Sequence, residues 1–342
     1  MTGDQPSPDM QGLFAPFGDG GYKLGASVDT YAFFAQGRVT VATDELGLRC
    51  DVARRHAVKP GGVVDVLVMG DSQGFGNGVN FEDSIAGSFA ELEAGQGLRV
   101  ANTSVGGHSL GSQYEIARWL VETQHVKVSN FVLLLTPVML HSGNEINRAN
   151  VGADGRLYSG DAGFQATLNL WMKTNLVLYS RIRDAVRNYG IGAQPEARSA
   201  VFDYYQVGPQ PDTARQELLA GIGQMKEFAA KHGANLYMVY VPLTVEADFA
   251  PVKQAAAKVG MDLDPDVSLA LASTVANLLH VPLHSLKPVL QRLQAEGEQM
   301  NVKGDFHYSS ILSRACGSDL AANLKLAGAE GRLPKLHEET KP

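Results

Sequence analysis

Three side chains of this sequence have the types needed for nucleophilic acyl chemistry: Ser72, Asp305 and His307. A serine hydroxyl attacks weakly unless a neighbouring base takes its proton, and that base works best when an acceptor fixes its ring. Asp305-Phe306-His307 offers such a pair within one short loop. Its carboxylate can fold back onto Nδ1 of the imidazole, leaving Nε2 for the serine. Blander roles exist for the same residues. Asp71-Ser72 also reads as a helix N-cap or turn pair, and His307 is one of 9 histidines.

These residues need elements that bring them together. The run Val63-Val64-Asp65-Val66-Leu67-Val68-Met69 is apolar and rich in β-branched residues, and it breaks at Gly70-Asp71-Ser72-Gln73-Gly74. Strands buried on both faces of a parallel sheet read as such continuous runs. Alternation continues from there: a helix near 83–94, a strand over 98–102, a Gly-rich turn, a helix near 112–123 and a strand over 131–135. It resumes with a helix near 212–232, a strand over 236–241, helices near 251–259, 265–279 and 286–296, and a closing helix over 309–326. Strands alternating with helices predict an α/β fold with a parallel sheet covered on both faces and ligands at the carboxyl ends of its strands. Residues 1–60 read as an arm with short strands at Tyr31–Phe34 and Arg38–Thr43, and residues 61–330 as one domain. A mainly helical insertion at about 141–211 contains an amphipathic helix over Phe164–Tyr189, and 331–342 reads as a flexible tail.

Composition narrows the partners. A net charge of -7 over 342 residues, without a Lys/Arg run, argues against nucleic acid. No apolar run reaches transmembrane length, and Met1–Gly21 lacks the features of a signal peptide. The chain is therefore expected to be soluble and cytoplasmic, although a mature exported form would read the same. Cys50 and Cys316 are compatible with two buried thiols or with one disulfide. No metal-ligand spacing occurs, so neither a metal nor another cofactor is expected.

Two literal motif matches do not fit their contexts. Gly70-Asp71-Ser72-Gln73-Gly74 spells G-x-S-x-G, yet the serine comes after the first strand of the alternating region, and acid and base lie two residues apart. Gly74-Phe75-Gly76-Asn77-Gly78 lacks the Gly-Lys-Ser/Thr of a phosphate loop. The set Gly70-Asp71-Ser72, Asn102-Thr103-Ser104-Val105-Gly106-Gly107 and Asp305-Phe306-His307 resembles instead the SGNH, or GDSL-type, hydrolase family in block order and spacing over about 63–326. Leu46-Gly47-Leu48-Arg49, Gly76-Asn77-Gly78-Val79 and Val241-Pro242 are similar to a subgroup found with bacterial polysaccharide-modifying systems.

The resemblance implies a flavodoxin-like three-layer α/β/α sandwich and acyl-ester chemistry on a small-molecule or carbohydrate substrate. It implies an oxyanion hole from the N–H groups of Ser72 and Gly107 and a third-block asparagine. Asn144 is the counterpart of that asparagine, although the family's Gly-x-Asn-Asp is here Ser142-Gly143-Asn144-Glu145 and lies further from its strand. His108 and His141 come after the second and third strands and could line the cleft. Three functions remain compatible: a serine esterase, a carbohydrate O-acyltransferase using the same triad, and a non-catalytic carbohydrate-binding protein.

Overall fold

The computed structural model describes residues 12–19, 21–34, 37–53, 55–142, 144, 146, 148–152, 154–158, 200–208, 212–302 and 306–326. The expected helix over 164–189, the tail 331–342 and Asp305 lie outside the described residues.

The N-terminal arm supplies β1 (Phe14–Phe17), β2 (Gly21–Leu24), β3 (Asp29–Phe34), β4 (Gly37–Thr43) and β5 (Arg49–Cys50). Then come β6 (Val63–Met69), α1 (Ser72–Phe75), α2 (Ile85–Ala94), β7 (Val100–Asn102), α3 (Leu110–Arg118), β8 (Lys127–Leu135) and α4 (Pro137–His141). Two short strands, β9 (Asn150–Val151) and β10 (Leu157–Tyr158), pair with each other. Further along lie α5 (Ala200–Tyr205), α6 (Asp212–Lys231), β11 (Asn235–Tyr240), α7 (Ala250–Lys258), α8 (Val267–Leu279), β12 (Leu283–Ser285), α9 (Lys287–Ala295) and α10 (Ser310–Asn323).

The main sheet runs β12-β11-β8-β6-β7-β5-β4-β3. Its first five strands are mutually parallel. Numbered along the chain, those five have the order 2-1-3-4-5, the doubly wound flavodoxin arrangement. The arm continues the sheet beyond β7 with three antiparallel strands. Because the chain leaves β6 for β7 on one side and returns to β8 on the other, a crevice opens where β6 and β8 end. Ser72 lies just beyond one of these strands and Thr136 just beyond the other.

Period-two alternation explains why both faces are covered. Phe131, Leu133 and Leu135 of β8 join Leu236, Met238 and Tyr240 of β11 in a core with α3, α6 and α8. Val132, Leu134, Tyr237 and Val239 face the other way, against α2, α9 and α10. The helices form the outer layers because each has an apolar stripe to bury. Helix α5 is tied to the sheet by polar contacts. Tyr205 and Tyr240 donate to Oε1 of buried Glu246 at 2.7 and 2.8 Å, and Lys287 approaches Oε2 at 3.3 Å.

Cys50 and Cys316 are both buried, and no disulfide joins them. Among the described residues, no helix is long and apolar enough to cross a membrane.

Candidate active site at the sheet's switch point

The serine turn is built from its own sequence. Asp71 is the N-cap of α1, its carboxylate accepting from the N–H of Gln73 at 3.0 Å. The other carboxylate oxygen accepts the hydroxyl of Thr136, so the ends of β6 and β8 are bonded across the crevice. Burial raises the Asp71 carboxyl above its ordinary range, against the opposing pull of the Thr136 and Gln73 hydrogen bonds and of His307. Helix α1 lasts one turn because Gly76 leaves it in the left-handed conformation, φ 81°.

Arg49 fixes the path of the chain beyond this turn. Its guanidinium is fully buried and donates to the carbonyls of Phe75, Gly76 (2.8 Å) and Val79 (2.6 Å), lying over the Phe75 ring. Burial pushes its pKa down to about 9, the Coulombic pull of Glu82 acting the other way. Leu46–Arg49 and Gly76–Val79, separate in the sequence, therefore form one unit.

The loop after β7 supplies the second wall. Asn102 donates to Gly74 O at 3.1 Å and accepts from Ser104 N at 2.9 Å, and Val105 N donates to Gly70 O at 3.2 Å. A Cβ placed on Gly106 would lie 3.7 Å from Cβ of Ser72. Gly107 has φ +81°, and the Tyr22 hydroxyl donates to Gly106 O at 3.0 Å. Among the described residues, the N–H groups of Ser72 and Gly107 have no acceptor. His108 is buried behind this loop, its Nδ1 3.0 Å from Nε2 of Gln113 and its ring edge-on to Tyr22. Burial pushes its pKa down to about 4, so it is neutral there.

His307 arrives from the opposite end of the sequence. Its carbonyl accepts from Val302 N at 2.9 Å, and Ser309 N donates to Met300 O, closing the loop before α10. Tyr308 is buried and its hydroxyl donates to Pro242 O. The side chain of Gln73, the residue after the serine, grips this loop on both sides of the histidine. Its Oε1 accepts from Tyr308 N at 3.1 Å, and its Nε2 lies 3.5 Å from Phe306 O. Asn77, whose own N–H donates to Ser72 O at 3.0 Å, places its amide 3.1 Å from His307 Nδ1.

The fold thus brings Ser72, Gly107 and the His307 loop to one place, with Asp305 outside the described residues. Asn144 is committed elsewhere. Its amide nitrogen donates to Glu217 O on α6, and its Oδ1 would meet a Cβ on Gly221 at 1.9 Å. His141 hydrogen-bonds Pro137 O at 2.8 Å, and its ring lies 5.3 Å from that of Tyr204, tilted by 42°. Gln73, Thr136 and Arg49 carry no catalytic signature in the sequence. Thr136-Pro137 does spell a helix N-cap, and an arginine in the lead-in to an apolar strand could have prompted a search for buried acceptors.

Fold and site together define a doubly wound α/β protein with a serine turn and a histidine loop at its switch point. No family model matches the chain, and no curated protein matches it. Among solved structures it is similar to TesA, at 14% identity and TM-score 0.41 over 76% of this chain and 98% of that chain. It is similar to a G-D-S-L family protein from Desulfitobacterium hafniense DCB-2, at 13% identity and TM-score 0.40 over 76% and 98% of the two chains. A third is Axe2, an acetylxylan esterase from Geobacillus stearothermophilus, at 9% identity and TM-score 0.39 over 79% and 96%.

Proposed function

We propose that the protein is a serine esterase in which Ser72 attacks an ester carbonyl. His307 takes the hydroxyl proton and returns it to the leaving alcohol, while the carboxylate of Asp305 orients the ring through Nδ1. Water, deprotonated by the same histidine, then resolves the acyl-enzyme. The oxyanion is received by the N–H groups of Ser72 and Gly107, and each such donor is worth about 3–4 kcal/mol when removed. Asn144 becomes a third donor if its amide leaves Glu217 when substrate binds. The alcohol side is read as a sugar hydroxyl carrying an O-acetyl group, on the strength of the sequence resemblance.

The observation that carries this reading is the attachment of the His307 loop to the turn bearing Ser72, through Gln73 and Asn77, at the switch point of the sheet. The test is covalent labelling with a serine-directed fluorophosphonate, together with hydrolysis of p-nitrophenyl acetate. Both are expected in the parent, and Ser72→Ala and His307→Ala are expected to lose them. Unchanged labelling or turnover in Ser72→Ala refutes the assignment. Adding an acetylated xylo-oligosaccharide then tests the sugar ester directly.

A further inference from the structure

The turn that carries the nucleophile extends past it to Asn77, and the environment of Asn77 is unusually constrained. Its N–H is bonded to Ser72 O, which fixes its distance from the nucleophile. Flanking Gly76 and Gly78 have φ +81° and +87°, a backbone path that side-chain-bearing residues resist. Arg49 holds the carbonyls of Phe75, Gly76 and Val79 on either side. Gly78 packs on Val302, where a Cβ would lie 2.8 Å from Cγ2, and Val302 N donates to His307 O. The loop therefore meets the ring of His307 directly through Asn77 and its main chain through Val302.

We infer that Asn77 is a positioning residue for His307, holding the ring at Nδ1 so that Nε2 faces Ser72. This rests on the proposed Ser72–His307 esterase chemistry. The chemistry fixes which way the amide must act. If Nδ2 donated to a bare Nδ1, the ring proton would sit on Nε2, and the ring could not accept the serine proton there. With the amide turned by half a revolution, Oδ1 accepts from Nδ1–H and Nε2 is the base. A single N–H can be shared between two acceptors, so Asn77 acts beside Asp305 and not in its place. The serine turn thus supplies the nucleophile and one of the two groups that aim its base.

The test uses the full-length protein, p-nitrophenyl acetate, and separate measurement of kcat and KM. Asn77→Ala is expected to lower kcat at least tenfold with KM within twofold. Asn77→Asp, which offers an acceptor and no donor, is expected to return kcat to within threefold of the parent. A purely structural hydrogen bond donated by the amide would be lost equally in both variants. If Asn77→Ala does not fold, Asn77→Ser, whose hydroxyl is too short to reach Nδ1, is compared with Asn77→Asp by the same criteria. Parent-like kcat in Asn77→Ala, or equal impairment of the aspartate variant, overturns the role of Asn77. Parent-like turnover in Ser72→Ala or His307→Ala overturns the underlying esterase reading, so the two failures are told apart.

Discussion

Gly74 lies in the helical turn that presents Ser72, and its neighbours set the cost of giving it a side chain. A Cβ at this position would lie 2.5 Å from Ser104 Oγ, 3.1 Å from Ser104 Cβ and 3.1 Å from Leu134 Cδ1. The hydroxyl can rotate away, but the Ser104 Cβ cannot, so the two loops must separate by a few tenths of an ångström. Overpacking of this kind costs about 1–3 kcal/mol. Replacing glycine by alanine in a helix returns up to ~1 kcal/mol, which leaves Gly74→Ala destabilised by up to about 2 kcal/mol. Misplacement of a reacting group by 1 Å costs about a hundredfold in rate, so the smaller shift should reduce kcat by roughly three- to tenfold. Urea unfolding and p-nitrophenyl acetate turnover would be measured for Gly74→Ala, Ser104→Gly and the double variant. The double variant removes the opposing atoms and leaves a single methyl contact that can yield. It is expected to be more stable than additivity allows by about 1 kcal/mol, and to regain most of the lost kcat. A coupling below about 0.3 kcal/mol, within ordinary additivity, refutes the argument that Ser104 is what excludes a side chain there.

Two further outcomes concern the loop after β7. His108, held near a pKa of about 4 by burial against an ordinary value of 6.5, binds fewer protons in the folded than in the unfolded chain between those values. Stability must therefore fall as pH drops from about 6.5 to 4, by up to ~3 kcal/mol. His108→Gln removes the titrating ring, so the melting temperature of the variant should gain on that of the parent as pH drops from about 6.5 to 4; a difference that stays constant with pH would exclude it. Gly107→Ala meets a left-handed backbone, φ +81°, and a Cβ 2.9 Å from the Tyr22 hydroxyl. A loss of about 1–2 kcal/mol in urea and of about 10²–10³ in kcat is expected. Adding Tyr22→Phe should restore part of the stability and little of the rate, and full recovery of both would remove Gly107 from the oxyanion site.

The parallel sheet and the Ser72 turn were legible in the sequence because their causes are local. A short β-branched run cut off by a glycine turn favours a strand buried on two faces, and an Asp-Ser pair at its end caps the helix after it. The regular spacing of strands and helices gave the doubly wound class for the same reason. Boundaries shifted by small amounts: the third strand starts at Lys127, ahead of its apolar run, because pairing with β6 reaches Val63. The helix expected over 112–123 starts at Leu110, where the Ser109 side chain caps it, and finishes as a π-helical turn over Trp119–Thr123.

What the sequence could not express is which polar side chain meets which across long separations. Asn77 and His307 lie 230 positions apart, and Gln73 and Tyr308 235. Neither amide has a periodicity or motif that announces a partner, since an amide accepts almost any hydrogen-bonding neighbour and the fold selects it. Asn144 illustrates the converse. Its place after the third strand suggested an oxyanion donor, but the path of the chain lays it on α6, where the Glu217 carbonyl takes its amide. Local chain stiffness and burial determine the strands and the serine turn from sequence alone. The aim of a side chain depends on the tertiary packing of elements far apart in the chain, and that decided the rest.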